Sequence, residues 1–220
     1  DEVAAVAAIN ERVAEDALGL IEVEYEILPH VVDQMEAMKD GAPQLHDEAK
    51  NIKGGAPAEY ARGDVAKGLA EAEVVIEGTF TVPGQNHSCQ ERHGSTVDYG
   101  GGHDVVTVWE GTQGTFRVRN ELAVHLGLPA NRVRVIMQYM GGGFGQKNFC
   151  DKYTVIGALL SKMTGRPVQT VLDRAQCYQV AAIRPGAIQQ IKLGAKKDGT
   201  LTAIEWTSYA NLGSQVGKTG

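Results

Sequence analysis

The stretch MGGGFGQK, residues 140–147, lies between a predicted strand, RVRVIMQYM (132–140), and a predicted helix, DKYTVIGALLSKMTG (151–165). Four of its eight residues are glycine. Backbone N–H groups at a strand–helix junction, together with the helix N-terminus, attract anions, and glycine lets the backbone come close to a ligand. The composition therefore indicates either a tight turn or a loop that holds a ligand against its backbone.

The loop fits neither of two common phosphate-binding motifs. The P-loop pattern G-x-x-x-x-G-K-[ST], begun at Gly141, needs a glycine where Gln146 stands and a hydroxyl where Asn148 stands. The dinucleotide pattern G-x-G-x-x-G, begun at Gly141 and Gly143, also meets Gln146 in place of its third glycine. A nucleotide site of either kind is therefore not supported.

Hydrophobic patterning on both sides of the loop predicts a mixed chain. EVAAVAAI (2–9) and IEVEYEIL (21–28) indicate two strands, and ERVAEDALGL (11–20) between them has helical spacing after the N-cap candidate Asn10. The other segments predict a helix at 63–72, a strand at 73–82, a hairpin at 95–113, a helix at 115–128, a strand at 167–173 and a hairpin at 186–213. The predicted fold class is therefore α+β.

A stretch without periodicity divides the chain. Residues 40–62 are rich in Gly, Pro, Lys and Ala, which is typical of a linker. We expect the remainder of a small α/β domain at 1–50, a linker at 51–74 and the first part of a mixed α+β domain at 75–220. Because the chain begins inside a strand–helix–strand unit, we expect a truncated or processed fragment.

Composition excludes several classes of protein. The net charge of -6 and the lack of basic clusters argue against a nucleic-acid partner. The longest apolar run, Val3 to Ile9, is far shorter than the roughly 18 residues of a membrane span, and the first ten residues carry no signal-peptide pattern. Three scattered cysteines favour buried thiols in a reducing compartment, so we expect a cytoplasmic protein.

Five segments resemble, in the same order, the molybdenum hydroxylases, which are the xanthine dehydrogenase and aldehyde oxidase family. GGGFGQK is similar to the family's GGGFGGK loop. The other four are GDVAKGLAEAEVVIEGTF (63–80), HSCQE (87–91), VWEGTQG (108–114) and TGRPVQTVLDR (164–174) with Arg184-Pro185 after it. The opening, residues 3–33, resembles the end of the small, hammerhead-like domain that precedes the molybdopterin-binding domain. The chain is thus expected to be the N-terminal part of a molybdopterin-binding large subunit.

The resemblance implies an enzyme that hydroxylates an N-heterocycle or oxidises an aldehyde with oxygen derived from water. Its cofactor would be molybdenum held by molybdopterin or its dinucleotide form, with no protein side chain needed as a metal ligand. Expected partners are the remaining segment of the large subunit, an iron–sulfur subunit and a flavin (FAD) subunit. Three cysteines cannot supply a Cys₄ cluster within this chain.

By the same resemblance, residues of the loop and of VWEGTQG would bind the cofactor. Gln113 would donate a hydrogen bond to an oxo ligand of molybdenum, and a neutral amide can do so without titrating. The N–H of Gly145 would reach an oxo group, Phe144 would wall the substrate pocket, and Gly142 and Gly143 would shape the turn. From the residues alone, a surface glutamine and a core aromatic are the open alternatives for Gln113 and Phe144.

The chain departs from the family pattern at two loop positions. Gln146 stands where the family usually has glycine, and it could tighten the loop or add a donor. Asn148 stands where members that act on purines tend to carry glutamate, which disfavours xanthine as the substrate. Asn148 could hydrogen-bond a neutral substrate, or it could be the N-cap of the following helix.

The resemblance leaves half of a catalytic site outside this chain. The family's catalytic base is a glutamate near the far C-terminus, beyond residue 220, and Glu91 matches a structural position instead. No catalytic residue is therefore assigned here. Two alternatives stay open, namely a non-catalytic glycine-loop binding module and a subunit that serves only in assembly.

Overall fold

A computed structural model describes residues 2–45, 49–100 and 105–213. The helices are α1 (Glu11–Leu18), α2 (Gln34–Ala37), α3 (Val65–Ala70), α4 (Thr115–Leu126), α5 (Lys152–Thr164) and α6 (Arg174–Gln179). The strands are β1 (Val74–Val82), β2 (Gly94–Asp98), β3 (Val106–Glu110), β4 (Val133–Ile136), β5 (Val168–Val171), β6 (Ala187–Ala195) and β7 (Leu201–Ala210). The α+β class predicted from the sequence is confirmed.

The chain forms two compact units that do not follow chain order. One comprises Asp1–Tyr25 and Asn86–Ile183, and the other comprises Glu26–Gln85 and Arg184–Gly220. The domain boundaries expected from the sequence, at 50 and 74, stay a prediction. Within the described residues, no helix is long and apolar enough to cross a bilayer.

The first unit is built on a four-stranded sheet in the order β4-β3-β2-β5. β3 is antiparallel to β2 and parallel to β4, and α4 provides the crossover between β3 and β4. Fully buried side chains of the sheet and of α4 form the core, among them Val97, Val108, Val118 and Leu122. This packing fixes the ends of β3 and β4, from which the VWEGTQG segment and the glycine loop leave the sheet.

The second unit is a three-stranded antiparallel sheet in the order β1-β6-β7. β6 and β7 form the predicted hairpin, whose turn is closed by a hydrogen bond from the Gly199 N–H to the Lys196 carbonyl. Helix α3 begins at the N-cap Asp64, whose side chain accepts from the Lys67 N–H. The predicted helix at 63–72 and strand at 73–82 are thus confirmed.

The two strands predicted near the start of the chain are wrong. Helix α1 is present, and the Asn10 side chain caps it by accepting from the Val13 N–H. Residues 2–9 and 20–28 form no strand in the described chain. Their apolar side chains stay in contact with solvent, with Leu20 84% and Ile27 85% exposed. An alternating pattern forms a strand only where a neighbouring strand satisfies its backbone groups, and no such neighbour is described here.

The remaining predicted elements are confirmed with shorter ends, and two short helices were missed. The hairpin at 95–113 becomes β2 and β3, although residues 101–104 of its connection, which include Gly101, Gly102 and His103, lie outside the described residues. Helices α2 and α6, which have four and six residues, were not predicted. Asp33 and Asp173 cap them, and such caps are the local signal that could have found them.

Candidate functional site

The glycine loop has a left-handed backbone at three neighbouring positions. The φ angles of Gly142 and Gly145 are +98° and +96°, which glycine adopts without steric cost. Phe144 between them has a φ of +50°, an uncommon angle for a residue with a Cβ. Its ring is 62% exposed, so the alternative of a core aromatic is excluded. The loop therefore presents the Phe144 ring outward at the expense of backbone strain.

Gln113 lies against this loop. Its backbone N–H donates to the Lys147 carbonyl at 2.8 Å, and its side-chain Oε1 accepts from the Gly145 N–H at 2.8 Å. A Cβ built on Gly143 would lie 2.6 Å from Cγ and Cδ of Gln113, so the glycine leaves the space that this side chain fills. With its oxygen used, the amide Nε2 can donate two further hydrogen bonds.

One sequence-based expectation differs from the structure at this point. The Gly145 N–H was expected to point at a ligand, and here it donates to Gln113 instead. By contrast, the N–H groups of Gly142 and Gly143 have no acceptor among the described residues, although Gly143 is buried. Buried N–H groups without an acceptor are rare in proteins. Gly143 is such a case, and its N–H suits an external acceptor, whereas Gly142 is half-buried and its N–H can also meet solvent.

Glu91 packs between the loop and the end of β3. A Cβ on Gly111 would lie 2.6 Å from Glu91 Oε2, and a Cβ on Gly141 would lie 2.6 Å from Glu91 Cβ. The Gly141 N–H donates to Glu91 Oε2 at 3.1 Å, and the Glu91 N–H donates to the Gly141 carbonyl at 3.2 Å. Glycine is therefore required at 111 and 141 because Glu91 occupies the space beside both.

Lys147 at the other end of the loop binds the same carboxylate. Its side chain is 2% exposed, and Nζ lies 2.5 Å from Glu91 Oε2 and donates to the Glu91 carbonyl at 3.3 Å. Burial raises the pKa of Glu91, but Lys147 and the Gly141 N–H outweigh this effect and hold the pKa below its usual value. The sequence placed Lys147 in the loop, but its partner is 56 residues away and could not be identified from spacing.

Gln146, the first departure from the family pattern, is a structural residue. It is 3% exposed, and its Nε2 donates to the Ala182 carbonyl at 2.6 Å. Its backbone N–H donates to the Gly143 carbonyl at 2.8 Å, which closes a turn around Phe144. The additional donor considered for this position is thus present, and it fixes the loop to the segment after α6.

Asn148, the second departure, does not cap the helix. The N-cap of α5 is Asp151, three residues later, so the N-cap alternative for Asn148 is wrong. Its Nδ2 donates to the Gly145 carbonyl at 3.5 Å, which is the long limit of a hydrogen bond. The residue is half-buried and lies close to the backbone that carries Phe144 and Gly145.

Arg174, in the first turn of α6, holds the Glu91 segment from the other side. Nη1 donates to the Cys89 carbonyl at 2.6 Å, and Nη2 donates to the Gln90 carbonyl at 2.8 Å. Asp173 fixes the helix start through a capping box with Gln176. Arg174 lies in TGRPVQTVLDR, but its role could not be predicted. Every residue has a backbone carbonyl, so a guanidinium that binds carbonyls has no recognisable partner in the sequence.

Two buried titratable groups lie behind the site. Burial raises the pKa of Glu110 from 4.5 to about 7, and hydrogen bonds from Thr154 Oγ1 at 2.9 Å and Tyr153 OH at 3.2 Å partly offset that effect. Burial, assisted by Lys147, lowers the pKa of His93 from 6.5 to about 4. Both ring nitrogens of His93 lack a hydrogen-bond partner among the described residues. At neutral pH, His93 is uncharged, and Glu91 supplies the carboxylate beside Lys147.

An open cleft of about 460 Å³ adjoins these segments. Its walls include Glu91, Gly111, Trp109 and Tyr139. This volume is within the range of small-molecule sites. In the described residues, no group of three or more His, Cys, Asp or Glu side chains could hold a metal ion. The three cysteines, Cys89, Cys150 and Cys177, are buried. The walls of the cleft include the charged residues Arg92 and Glu110, and they include none of the predicted site residues, which are Gln113, Gly142, Gly143, Phe144, Gly145 and Asn148.

Comparison with protein families and with curated proteins gives consistent results. A model of the molybdopterin cofactor-binding domain matches residues 45–219. The aldehyde oxidoreductase molybdenum-binding subunit PaoC of Escherichia coli O157:H7 is 34% identical over 141 residues, which are 64% of this chain and 19% of that protein. Xanthine dehydrogenase/oxidase of Mus musculus is 31% identical over 215 residues, which are 96% of this chain and 15% of that protein.

Solved structures share the fold over nearly the whole chain. The aldehyde oxidoreductase of Desulfovibrio gigas superposes with a TM-score of 0.79 at 26% identity, covering 91% of this chain and 22% of that one. CO dehydrogenase from Oligotropha carboxidovorans gives 0.78 at 29% identity, covering 90% and 26%. Quinoline 2-oxidoreductase from Pseudomonas putida 86 gives 0.74 at 28% identity, covering 91% and 25%. The chain thus spans about a quarter or less of these proteins.

Proposed function

Because the chain belongs to the molybdopterin cofactor-binding domain family, we propose that it holds one side of a molybdenum cofactor in a larger oxidoreductase. The enzyme hydroxylates an N-heterocycle or oxidises an aldehyde, with the oxygen taken from water. Aldehyde oxidoreductases and a quinoline 2-oxidoreductase are among the similar proteins, and these names support the two substrate classes.

The bond between Gly145 and Gln113 is the observation that carries this proposal. It fixes the amide so that Oε1 faces the loop and Nε2 stays available. Gly143 lies against the same side chain, and its own N–H lacks an acceptor in the described part of the chain. Three donors, from Gln113 and the two glycines Gly142 and Gly143, therefore suit a cofactor rich in oxygen acceptors. Preorganised donors stabilise charge that develops during reaction.

When bound, the cofactor supplies two-electron redox chemistry at molybdenum. This chain's own residues bind and orient it. The Gln113 amide has no charge of its own, so it donates at every ordinary pH. Phe144 walls the side of the pocket on which the substrate is bound, and its exposed ring suits a flat or apolar substrate. The general base lies outside this chain.

Substrate contact is assigned to Phe144 and Asn148. Asn148 lies beside the Gly145 carbonyl, and an amide there can donate to or accept from a neutral substrate but cannot take its proton. Relatives that carry the name xanthine dehydrogenase do not make xanthine the substrate here. An aldehyde or a neutral N-heterocycle is the better match to Asn148.

The remaining parts of the enzyme are also part of the proposal. They are the rest of the large subunit, an iron–sulfur subunit or domain, and a flavin subunit or domain that binds FAD. The cofactor is molybdopterin or its dinucleotide form. The buried thiols of Cys89 and Cys177 support a reducing compartment such as the cytoplasm.

The direct test is Gln113→Ala in the intact native complex. We expect molybdenum to remain bound through the rest of the site, while kcat for an aldehyde or an N-heterocycle falls by about 100-fold or more, because one preorganised donor is lost. The measurements are molybdenum per chain by elemental analysis and turnover per molybdenum.

Gln179→Ala is the matched control. Gln179 is an exposed glutamine of helix α6 in the same unit, and it is not among the residues that line the cleft. Its loss is expected to leave turnover unchanged. Wild-type turnover in Gln113→Ala would contradict the assignment and favour a subunit that serves only in assembly. Phosphate or nucleotide affinity without molybdenum would favour a non-catalytic binding module.

A further inference from the structure

The ion pair between Glu91 and Lys147 is unusual for its burial. Lysine is almost never fully buried unless it is paired, and here the Lys147 side chain is 2% exposed while that of Glu91 is 38% exposed. Removing a charged group from water is costly, and a buried pair seldom adds net stability over apolar residues of the same size. The pair therefore calls for an explanation other than stability.

Glu91 contacts the glycine loop at both of its ends, and Lys147 is the residue that it contacts at the second end. Glu91 binds the first glycine of the loop, Gly141, through two hydrogen bonds. The Gly141 N–H donates to the Glu91 side-chain Oε2 at 3.1 Å, and the Glu91 N–H donates to the Gly141 carbonyl at 3.2 Å. Lys147 is the last residue of the loop, and the Glu91 carboxylate binds both ends at the same oxygen, Oε2. One carboxylate thus holds residues 141 and 147 beside each other and sets the width of the loop.

Lys147 is connected directly to the Gln113 segment by hydrogen bonds. The Lys147 carbonyl accepts from the Gln113 N–H at 2.8 Å and from the Thr112 hydroxyl at 2.9 Å. A shift of Lys147 therefore moves the backbone of Gln113, and a wider loop moves Gly145 away from the Gln113 side chain.

Three other charged or titratable groups lie near the pair. His93 is neutral at pH 7, and Arg174 is a further cation. Glu110 also interacts with the Lys147 charge, but its pKa is raised to about 7 and its carboxyl accepts from the Thr154 and Tyr153 hydroxyls, with no hydrogen bond to Lys147 among the described contacts.

We propose that Glu91 and Lys147 form a clamp that positions the glycine loop and the Gln113 amide, so that they are positioning residues for the cofactor site. This inference rests on the proposed function for its effect on turnover, but the clamp itself is a property of this chain. The clamp holds the loop at a fixed width, and Gln113 then meets Gly145 without rearrangement when the cofactor binds.

The two partners differ in burial, so their substitutions should have unequal effects. This difference distinguishes a positioning role from a general effect on stability. Glu91→Gln leaves the buried Lys147 ammonium without a counter-charge, so the loop must open to hydrate it. Lys147→Met removes the charge but keeps much of the volume, and the half-exposed Glu91 carboxylate can still be hydrated. The double variant has neither charge. We therefore expect Glu91→Gln to be the most damaging and the double variant to recover from it.

The experiment is hydrogen exchange by mass spectrometry on the intact complex, following peptides that span residues 140–150. We expect Glu91→Gln to raise exchange in this loop at least tenfold, Lys147→Met less, and the double variant to return within about threefold of wild type. With molybdenum still bound, kcat should fall in the same order while KM changes less. Lys192→Met, which breaks an ion pair with Glu77 in the other unit, should leave loop exchange unchanged.

Three results would overturn the proposal. They are unchanged loop exchange in Glu91→Gln, a double variant no better than Glu91→Gln, or increased exchange spread equally over strands β2 and β3. If Glu91→Gln does not yield folded complex, the double variant is measured alone. We then expect it to fold and to show near wild-type loop exchange. A double variant that does not fold, or that shows raised loop exchange, also contradicts the clamp. A wild-type complex without molybdenum would refute the proposed function, whereas the exchange comparison would still decide on the clamp.

Discussion

Gly143→Ala perturbs the candidate site by a single methyl group. Gly143 does not have a positive φ, so alanine causes no backbone strain there. The new Cβ would lie 2.6 Å from Cγ and Cδ of Gln113, far inside van der Waals contact. The Gln113 side chain must rotate away, which breaks its 2.8 Å hydrogen bond from the Gly145 N–H.

The expected cost follows from these contacts. Loss of one net hydrogen bond costs about 1 kcal/mol, and an off-rotamer side chain adds about 0.5–1.5 kcal/mol. The complex should therefore fold with a loss of about 2 kcal/mol. The Gln113 donor is no longer positioned, so turnover per molybdenum should fall by about 100-fold or more, as for Gln113→Ala.

A double-mutant cycle is the decisive assay. In the Gln113→Ala background the space beside Gly143 is free, so Gly143→Ala should cost almost nothing further in turnover. Gly157→Ala, in helix α5, is the control, because a Cβ there would lie 3.4 Å or more from its nearest neighbours, the side chains of Thr170 and Val97. Additive effects of Gly143→Ala and Gln113→Ala on kcat would refute the steric reasoning.

Three further predictions concern residues around the loop. Phe144→Gly relieves the strain of a +50° φ, so thermal stability should change by less than about 1 kcal/mol in either direction while KM for an aldehyde rises, and a large loss of stability would contradict this. Gln146→Gly, which installs the usual family residue, removes the 2.6 Å bond to the Ala182 carbonyl and should cost about 1–3 kcal/mol, and an unchanged melting temperature would contradict that expectation. Because folding raises the pKa of Glu110 from 4.5 to about 7, its protonation stabilises the fold below pH 4.5, and this contribution, at most about 3 kcal/mol, is lost as pH rises through 7. The melting temperature of Glu110→Gln should therefore rise relative to that of wild type between pH 5 and 8. His93 has the opposite pH effect, but it is present in both proteins and cancels in the comparison. A difference in melting temperature that stays constant across this range would contradict the shift.

Much of the first unit could be predicted from the sequence because its signals are local. Periodicity and C-terminal glycines located α4 and α5, and Gly127 and Gly165 end them in the left-handed conformation. The family resemblance rested on order as well as on motif, and the family match over residues 45–219 confirms it. The GGGFGQK loop was found by composition alone, because glycines needed for close approach are visible in sequence.

The parts that were wrong or missed depend on distant partners. The strands predicted at 2–9 and 21–28 lack a described neighbour to pair with. The burial of the Lys147 side chain depends on its ion pair with Glu91, which is far away in sequence. The hydrogen bond from the Gly145 N–H to Gln113 was missed because the position of that side chain cannot be known from spacing, and the role of Gly145 towards a cofactor stays a prediction. Local patterns identify a loop, whereas its hydrogen-bond partners are decided by tertiary packing.

The central claim, that this chain holds a molybdenum cofactor, is tested most directly by metal and pterin analysis of the native complex, with this chain identified in it by mass. We expect molybdenum and pterin in stoichiometric amounts relative to the chain. A fully assembled native complex that contains the chain but no molybdenum would contradict the claim, and the glycine loop would then be a binding or packing element.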